Sequence, residues 1–424
     1  MPEKIVRDPV HDVIAFRTER PVDDLLFNLI NAAEFQRLRR IRQLGLTSLA
    51  YPGADHSRYS HSLGVMETAR RMLHQLELER PIDEYEQAVC QAAALLHDVG
   101  HGPFSHVFER VTGVAHEEFT CRVILDPGAE IFRMLTSFRR LMPHDVVNIL
   151  RHEPRRTFIS DIISSQLDAD RFDYLLRDNL MTGSQYGDYD LTWLLHALTV
   201  DRQGDRLAVH ARGASAVEAF LQARYHMYRN VYFHKVTRTA EGLVKLVLQR
   251  AKRLAVQGRL PWPDAEHAVH SALIGRHLSL EQFTELDDYS MVHCFKVWSS
   301  SGDAVLERLC KGLLYRRLFK VIDLPVDAND TQVQVMVAKA RAAVAAAGGD
   351  GDYDLFYDEP ADTPYDVGEG EGDHDRQIAV VDEQGVVRPF SSISSWPEAL
   401  NRQLAFKRLH VSEHYEELVR RSLA

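Results

Sequence analysis

His97 and Asp98 stand side by side in AAALLHDVGHGPFSH, so one stretch of backbone delivers an imidazole and a carboxylate to the same place. Both are ligands for divalent ions. His61 in RYSHSLGV and Asp170 in LDADRFDYLLRD supply a second imidazole and a second carboxylate. Four such groups could converge on one ion, which is an enzyme's equipment. A mixed set suits an ion of the Mn, Fe, Zn or Mg type, imidazole favouring the later metals and carboxylate the harder ones; spacing alone does not choose among them. An HD dipeptide by itself means little, since His11-Asp12 and His144-Asp145 occur in the same chain and read as surface or structural pairs. What sets His97-Asp98 apart is that His101, His106 and His116 follow closely.

The elements that must hold these groups can be read next. Glu86 to Leu96 is rich in Ala, Leu and Val with few polar positions, which suits a helix buried nearly all round. Gly100 offers the left-handed residue that ends helices and Pro103 can open the next one. The turn VGHGP therefore carries His97, Asp98, His101 and His106 around a corner, as the floor of a pocket. Further on, Asp170, Tyr174 and Asp178 recur at four-residue intervals, which places two carboxylates and a ring on one helix face. Asp173 and Arg177 read as a solvated surface pair. A second spaced set, Arg224, Tyr228 and Tyr232, lies on one face of the long helical run EAFLQARYHMYRNVYFHKVTRTAEGLVKLVLQRA.

Taken together, FQRLRRIRQLGLTSLAYPGADHSRYSHSLGV, LLHDVGHGPFSHVFE, DADRFDYLLRD and the His116-Glu117 pair of VAHEEFT resemble the HD-domain deoxynucleoside triphosphate (dNTP) triphosphohydrolases. Within that family the likeness is to the branch containing the vertebrate antiviral enzyme and its bacterial relatives, and it runs over about residues 4 to 240. The resemblance implies that His61, His97, Asp98 and Asp170 are metal ligands. It also implies that activated water attacks the α-phosphorus of a dNTP, releasing nucleoside and intact triphosphate, with Mg accompanying the substrate. His116, with Glu117 beside it, matches the acid that protonates the leaving 5'-oxygen, and His101 and His106 match groups that hold the α-phosphate. Glu109 stands where the family frequently has Asp, with the same charge and a longer reach. By the same resemblance Tyr174 packs on the deoxyribose where a 2'-hydroxyl would clash, Asp178 and Gln43 bond the 3'-hydroxyl, and Leu44 backs the sugar. Arg58, Arg171 and Arg224 match phosphate-binding positions, where a permanently charged guanidinium suits the triphosphate; Arg171 stands where Lys is common. Tyr232 is the candidate to approach the base edge.

Beyond residue 255 no chemical motif is visible. The resemblance implies that this part supports assembly into a dimer or tetramer and binding of an activating nucleotide at subunit contacts. Lys4, Gln36 and Arg39 fit one such position, and Arg212, His234 and Lys235 are candidates to contact a second nucleotide. Asn31 and Arg7 depart from the animal enzyme's pattern of Asp and Asn, which removes the argument for GTP as activator.

Composition sets the frame. A chain of 424 residues with 45% hydrophobic content is ordinary for a soluble globular protein. No run of 18 or more apolar residues occurs, and MPEKIVRDP has no signal-peptide core. Cys90, Cys121, Cys294 and Cys310 lack metal-type or redox-type spacing. A reducing, cytoplasmic setting without a membrane partner is expected. Between Asp350 and Asp375 lie 11 acidic residues and no Lys or Arg, leaving 50 acidic against 50 basic residues elsewhere. The net charge of −11 thus belongs to one segment, read as a surface loop, and no basic stripe argues for nucleic-acid binding.

The expected fold is mainly α, an HD-domain helical core with small β-hairpins and a helical C-terminal region. Helices are expected near 23–44, 62–80, 84–98, 103–111, 116–125, 170–179, 190–197, 214–254, 279–322 and 412–423, and hairpins at 198–211 and 378–390. Residues 1–255 form the catalytic region, its metal core at about 37–180, and residues 256–424 a regulatory or oligomerisation region with the acidic loop 350–375. The preferred reading is dNTP triphosphohydrolysis. The alternatives are an HD phosphohydrolase acting on a nucleic-acid end, a cyclic nucleotide or a guanosine alarmone, and a nucleic-acid-binding defence protein.

Overall fold

The computed structural model describes residues 3–113, 115–153, 156–201, 205–362, 377–396 and 404–424. It is mainly α-helical with short strands, as the sequence implies. The helix before His97 is Glu84–Leu96, opened by a capping box in which Asp83 accepts from the Glu86 backbone while the Glu86 side chain accepts from Asp83 N–H. Every side chain from Ala88 to Leu96 is buried. Gly100 does not end this helix, which is capped at His97. Any Cβ at Gly100 would overlap the His116 carbonyl and Thr120 N, so glycine lets the ligand-bearing turn lie against helix His116–Leu125. The following helix, His106–Thr112, begins three residues later than expected, after Phe104 and Ser105 at φ of +53° and +51°.

Helix Arg58–Glu77 packs on both Glu84–Leu96 and Ala169–Thr182. The second contact is close at Gly64, where a Cβ would overlap the Asp173 carboxylate and the Arg177 guanidinium. Those two residues are not a solvated pair. Their side chains are 0% and 1% exposed, and Arg177 Nη1 and Nη2 donate to Asp8 at 2.8 and 3.1 Å. Asp8 closes an N-terminal hairpin, Lys4–Asp8 with Asp12–Phe16, that periodicity did not single out. The side chain of His11, in its turn, is buried with Nε2 2.8 Å from Asp173, a structural role of the kind expected for that dipeptide.

Two expected helices are interrupted. The run at 23–44 stops at Asn31, extends at Ala32 (ψ 141°), and resumes as Ala33–Gln36 and a tighter turn Arg37–Arg40. The run at 214–254 is Ala214–Met227, a wide π-turn Tyr228–Tyr232, then Lys235–Val256 capped by His234. Residues 279–322 hold three helices, Leu280–Thr284, Asp288–Trp298 and Ala304–Leu314, before strand Lys320–Asp323. Both expected hairpins form, and they join: strand Arg206–His210 pairs in parallel with Ala379–Val381, making one four-stranded sheet. The first part of the acidic segment enters strands Leu355–Asp358 and Ala361–Asp362; residues 363–375 lie outside the described residues.

One apolar core runs from Ile14 to Phe390, crossing residue 255. A second, smaller core belongs to a C-terminal module in which strand Arg408–Val411 lies between Lys320–Asp323 and Leu355–Asp358, covered by helices Asp330–Ala346 and Glu416–Leu423. The module seats on helix Lys235–Val256. Phe356 occupies the space a side chain at Gly242 would need, Asp358 takes Arg238 in two bonds of 3.0 and 2.6 Å, and His410 bonds Thr239 at 2.8 Å with its ring stacked on Phe356 at 4.5 Å. Among the described residues no helix is long and apolar enough to cross a membrane.

Two outcomes follow from this packing. Gly64→Ala in an open helix would gain about 1 kcal/mol from propensity; here overpacking should outweigh that and cost about 1–3 kcal/mol, read as a lowered Tm, and an unchanged or raised Tm would contradict the close approach. Burial lowers the His410 pKa to about 4, Arg408 and Arg238 assisting against Asp358. Neutral His410 therefore contributes stability above its ordinary value of 6.5, and this is lost, up to about 3 kcal/mol, as pH falls from there toward 4. Urea midpoints of the native protein should drop across that window more than those of His410→Gln; parallel curves would contradict the assignment.

Candidate metal centre

The two candidate imidazole ligands are held by their Nδ1 atoms. His97 Nδ1–H donates to the Ala94 carbonyl at 2.8 Å, and His61 Nδ1 lies 2.8 Å from Asp173 Oδ2. Such outer contacts fix the tautomer and leave Nε2 as the coordinating atom. His61 Nε2 lies 3.0 Å from Asp170 Oδ1, and His97 Nε2 lies 3.7 Å from the same oxygen; the ligand atoms of all three residues fall within 4.8 Å of one another. Asp98 approaches to 3.3 Å from His97 Nε2 and 3.8 Å from His61 Nε2.

Whether a cation fits here can be judged from the polar atoms themselves. His97 Nε2 is buried without a hydrogen-bond partner, a costly state for an imidazole nitrogen that a metal ion relieves. Burial alone would lower the His61 pKa, but Asp170 and Asp173 outweigh it and raise it to about 10, so the carboxylates favour positive charge at this point. Burial also opposes the charge on Asp98, yet Arg58, His97 and His101 hold its carboxyl well below the usual range. Two imidazoles with ionised carboxylates suit a divalent ion.

Support for the ligands comes from residues the sequence reading passed over. Asp173 accepts from His61, from His11 and from Arg177 Nε and Nη2, each at 2.8 Å. Its only sequence signal was the Asp173/Arg177 spacing on the ligand helix. Arg37 is wholly buried and donates to the carbonyls of His101 at 2.7 Å, Leu286 at 2.8 Å and Val99 at 3.4 Å, pinning the ligand-bearing turn. Asp288 accepts from the backbone of Phe104 and Arg42, both at 2.9 Å.

Around the ion site, Arg58 bonds Asp98 at 2.5 Å and Ser105 Oγ at 2.7 and 3.0 Å. The His101 ring stacks on His116 at 3.9 Å; burial, then Arg58, lowers the His101 pKa well below the ordinary value. His116 Nδ1 is 3.0 Å from Glu109, and Glu117 lines the pocket from an exposed position. His106 begins its helix, but its side chain lies outside the described residues.

The metal pocket encloses about 770 Å³ and meets a second cavity of about 310 Å³. Gln43, Arg58 and Tyr174 line both, and the stripe of Asp170, Tyr174 and Asp178 passes from the first into the second. Leu44, Tyr228 and Tyr232 line the second cavity. Asp178 there accepts from Tyr232 OH at 2.8 Å and meets His56 Nε2 at 2.7 Å, while Gln43 Oε1 is buried without a partner.

Other candidates stand apart from these cavities. Arg171 turns to Asp168 and the Ser165 carbonyl, and Arg224 lies 5.4 Å from the Tyr228 ring; neither lines the metal pocket or the second cavity. Nor do the six regulatory candidates. Lys4 lies over Phe27, Gln36 accepts from Arg39, which stacks on Tyr59, Arg212 sits in an exposed turn, and His234 caps the helix that Lys235 begins.

Asp173→Asn would put an amide N–H₂ among four donors and withdraw the anion behind His61. Divalent-metal affinity should fall about 10- to 100-fold, measured by titrating the metal-stripped protein. An unchanged affinity would separate Asp173 from the metal centre.

Residues 58–178, which contain all four candidate ligands, match the HD domain, and residues 189–258 match the HD associated region. Uncharacterized protein YwfO of Bacillus subtilis is 37% identical over 401 residues, covering 94% of this chain and 89% of that protein. A crystal structure of a phosphohydrolase from Bacteroides thetaiotaomicron has a TM-score of 0.82 and 30% identity, covering 97% of this chain and 100% of that one. Deoxynucleoside triphosphate triphosphohydrolase SAMHD1 of Gallus gallus is 26% identical over 376 residues, 77% of this chain but only 58% of that protein, a distant relative of which the chain spans less than two thirds. A clustered His/His/Asp site inside a matched HD domain, with near full-length likeness to a phosphohydrolase, establishes that the chain belongs to the HD-domain phosphohydrolase superfamily.

Proposed function

We propose that the protein is a dNTP triphosphohydrolase, cleaving dNTP into deoxynucleoside and inorganic triphosphate. The observation that carries this reading is the second cavity opening off the metal pocket, with the buried, unpartnered Gln43 Oε1 where the two meet. A hydrolase of simple phosphoesters needs only the metal pocket. A nucleotide substrate needs an adjoining space with aromatic walls and fixed polar atoms for sugar and base, and Tyr174, Tyr228 and Tyr232 with Gln43 and Asp178 provide it. The name carried by the Gallus gallus relative supports the same reading.

A divalent ion held by His61, His97, Asp98 and Asp170 supplies Lewis-acid polarisation of a phosphoryl oxygen and activation of water. The chain's residues do the rest. Arg58 fixes Asp98 and carries positive charge at the join of the cavities; neutral His101 lies where it can bond an α-phosphate oxygen. His116, its Nδ1 3.0 Å from Glu109, delivers a proton from Nε2 to the departing 5'-oxygen. The bond between the α-phosphorus and the 5'-oxygen breaks, water oxygen stays with the triphosphate, and the nucleoside leaves neutral. Tyr174 packs against the sugar face where a 2'-hydroxyl would stand, and Gln43 accepts from the 3'-hydroxyl. Residues 256–424 serve assembly and regulation in this reading.

The second reading is hydrolysis of another phosphoester. It is favoured by the fact that the HD-domain match covers the metal pocket, and that the Bacteroides thetaiotaomicron relative is named only as a phosphohydrolase. Products decide between them. With each dNTP and NTP, singly and mixed, in Mg²⁺ or Mn²⁺, the expected products are deoxynucleoside and triphosphate from dNTPs. His97→Ala and Asp98→Ala should reduce this at least about 10³-fold with circular dichroism unchanged. Monophosphate with pyrophosphate, or undiminished activity in the two variants, would overturn the proposal.

A further inference from the structure

Arg110, Arg238 and Glu241 also line the second cavity. The same three residues line a further cavity of about 440 Å³ against the C-terminal module. Arg238 is engaged on both sides, donating through Nη1 to Glu241 Oε2 at 2.6 Å and through Nε and Nη2 to Asp358 at 3.0 and 2.6 Å. Glu241 gives one oxygen to this pair. Its Oε1 makes no hydrogen bond among the described residues, and its side chain keeps 32% exposure while lining both cavities. An ionised carboxylate accepts hydrogen bonds and cannot donate.

The residues that the second cavity shares with its two neighbours assign its ends. Gln43, Arg58 and Tyr174 form the end shared with the metal pocket, so phosphate and sugar belong there, and the base, on the far side of the sugar, lies toward Glu241. We propose that Glu241 reads the base: its free carboxylate oxygen accepts a hydrogen bond from the 4-amino group of cytosine or the 6-amino group of adenine, selecting these over thymine, uracil and guanine, which carry a carbonyl at that place. This rests on the nucleotide reading of the site. Thymine and uracil present a carbonyl where cytosine presents its amino group, which sets two acceptors against each other in a desolvated space and leaves both unpaired. Asp358 is a positioning residue in this scheme. By clamping Arg238 it holds Glu241 in place, so base selection depends on how the C-terminal module seats on helix Lys235–Val256.

The decisive comparison uses dCTP and dUTP, whose bases differ in the amino or carbonyl group at position 4 and the hydrogen that uracil carries on N3, with the full-length, metal-loaded protein. The native enzyme should favour dCTP in kcat/KM by about tenfold or more, the size expected for a hydrogen bond to a charged partner. In Glu241→Gln, whose amide can also donate to a carbonyl, that ratio should fall about tenfold, and Asp358→Asn should shift it in the same direction by less. Both substrates slowed by one common factor would show a merely structural role and overturn the proposal. Should Glu241→Gln fail to fold, the native enzyme decides alone, by comparing dATP with the purine deoxynucleotide lacking the 6-amino group; equal turnover of that pair overturns it. Turnover of dNTPs without amino preference sinks base reading and leaves the function intact, whereas absence of any dNTP turnover sinks both.

Discussion

The carboxylate of Asp173 is the interaction on which the site depends. Completely buried, it receives four donors from three elements: His11 of the N-terminal turn, His61 of helix Arg58–Glu77, and Arg177 of its own helix. An isolated buried charge is expensive, and this one persists because Arg177 answers it and is itself answered by Asp8. Burial raises the Asp173 pKa, and Arg177, His11 and His61 more than reverse this, so the group stays ionised. The hub fixes the orientation of His61 and joins the helix carrying Asp170 to the helix carrying His61. Gly64 is the backbone condition for that closeness.

A second layer of buried polar contacts makes the C-terminal part of the chain a component of the site. Arg37 pairs with no carboxylate among the described residues and donates to three carbonyls, two in the ligand-bearing turn and one at Leu286. Burial holds its pKa down to about 9, with Asp287 opposing. Asp288 receives the backbone of Phe104, next to Ser105, which in turn receives Arg58. The positive φ angles at Phe104 and Ser105 are therefore held in place from two directions. Asp358, from the separate C-terminal core, reaches the far wall of the second cavity through Arg238, so the catalytic helices and the C-terminal module share one polar framework.

Three of the four candidate ligands, His61, His97 and Asp170, come together in one cluster, and residue type made them visible in the chain: an HD pair at the end of an apolar helix, a histidine upstream, and Asp170, Tyr174 and Asp178 in one stripe. Asp173 and Arg177 share that helix and that spacing, yet nothing local distinguishes a solvated pair from a buried one; Gly64 and the Asp8 hairpin, over a hundred residues earlier, decide it. The breaks at Ala32 and Tyr228 carry no Gly or Pro to mark them. Arg171 matched a phosphate position by sequence, and here it bonds Asp168 and the Ser165 carbonyl; Arg224 lies beside the Tyr228 ring. The strand Arg408–Val411 is four residues long and pairs with Asp323 and Asp358 across wide gaps in sequence, so no short window contains its signal. Glu241 was hidden for a similar reason, being one acid on an amphipathic helix until the C-terminal module supplies Asp358.

The most direct test is a crystal structure of the protein with Mn²⁺ and a non-hydrolysable dNTP analogue, locating the metal by its anomalous signal. One ion between His61, His97, Asp98 and Asp170, with the α-phosphate beside it and the sugar on Tyr174 at Gln43, is the predicted result. An ion placed elsewhere, or a nucleotide bound away from the second cavity, would contradict it.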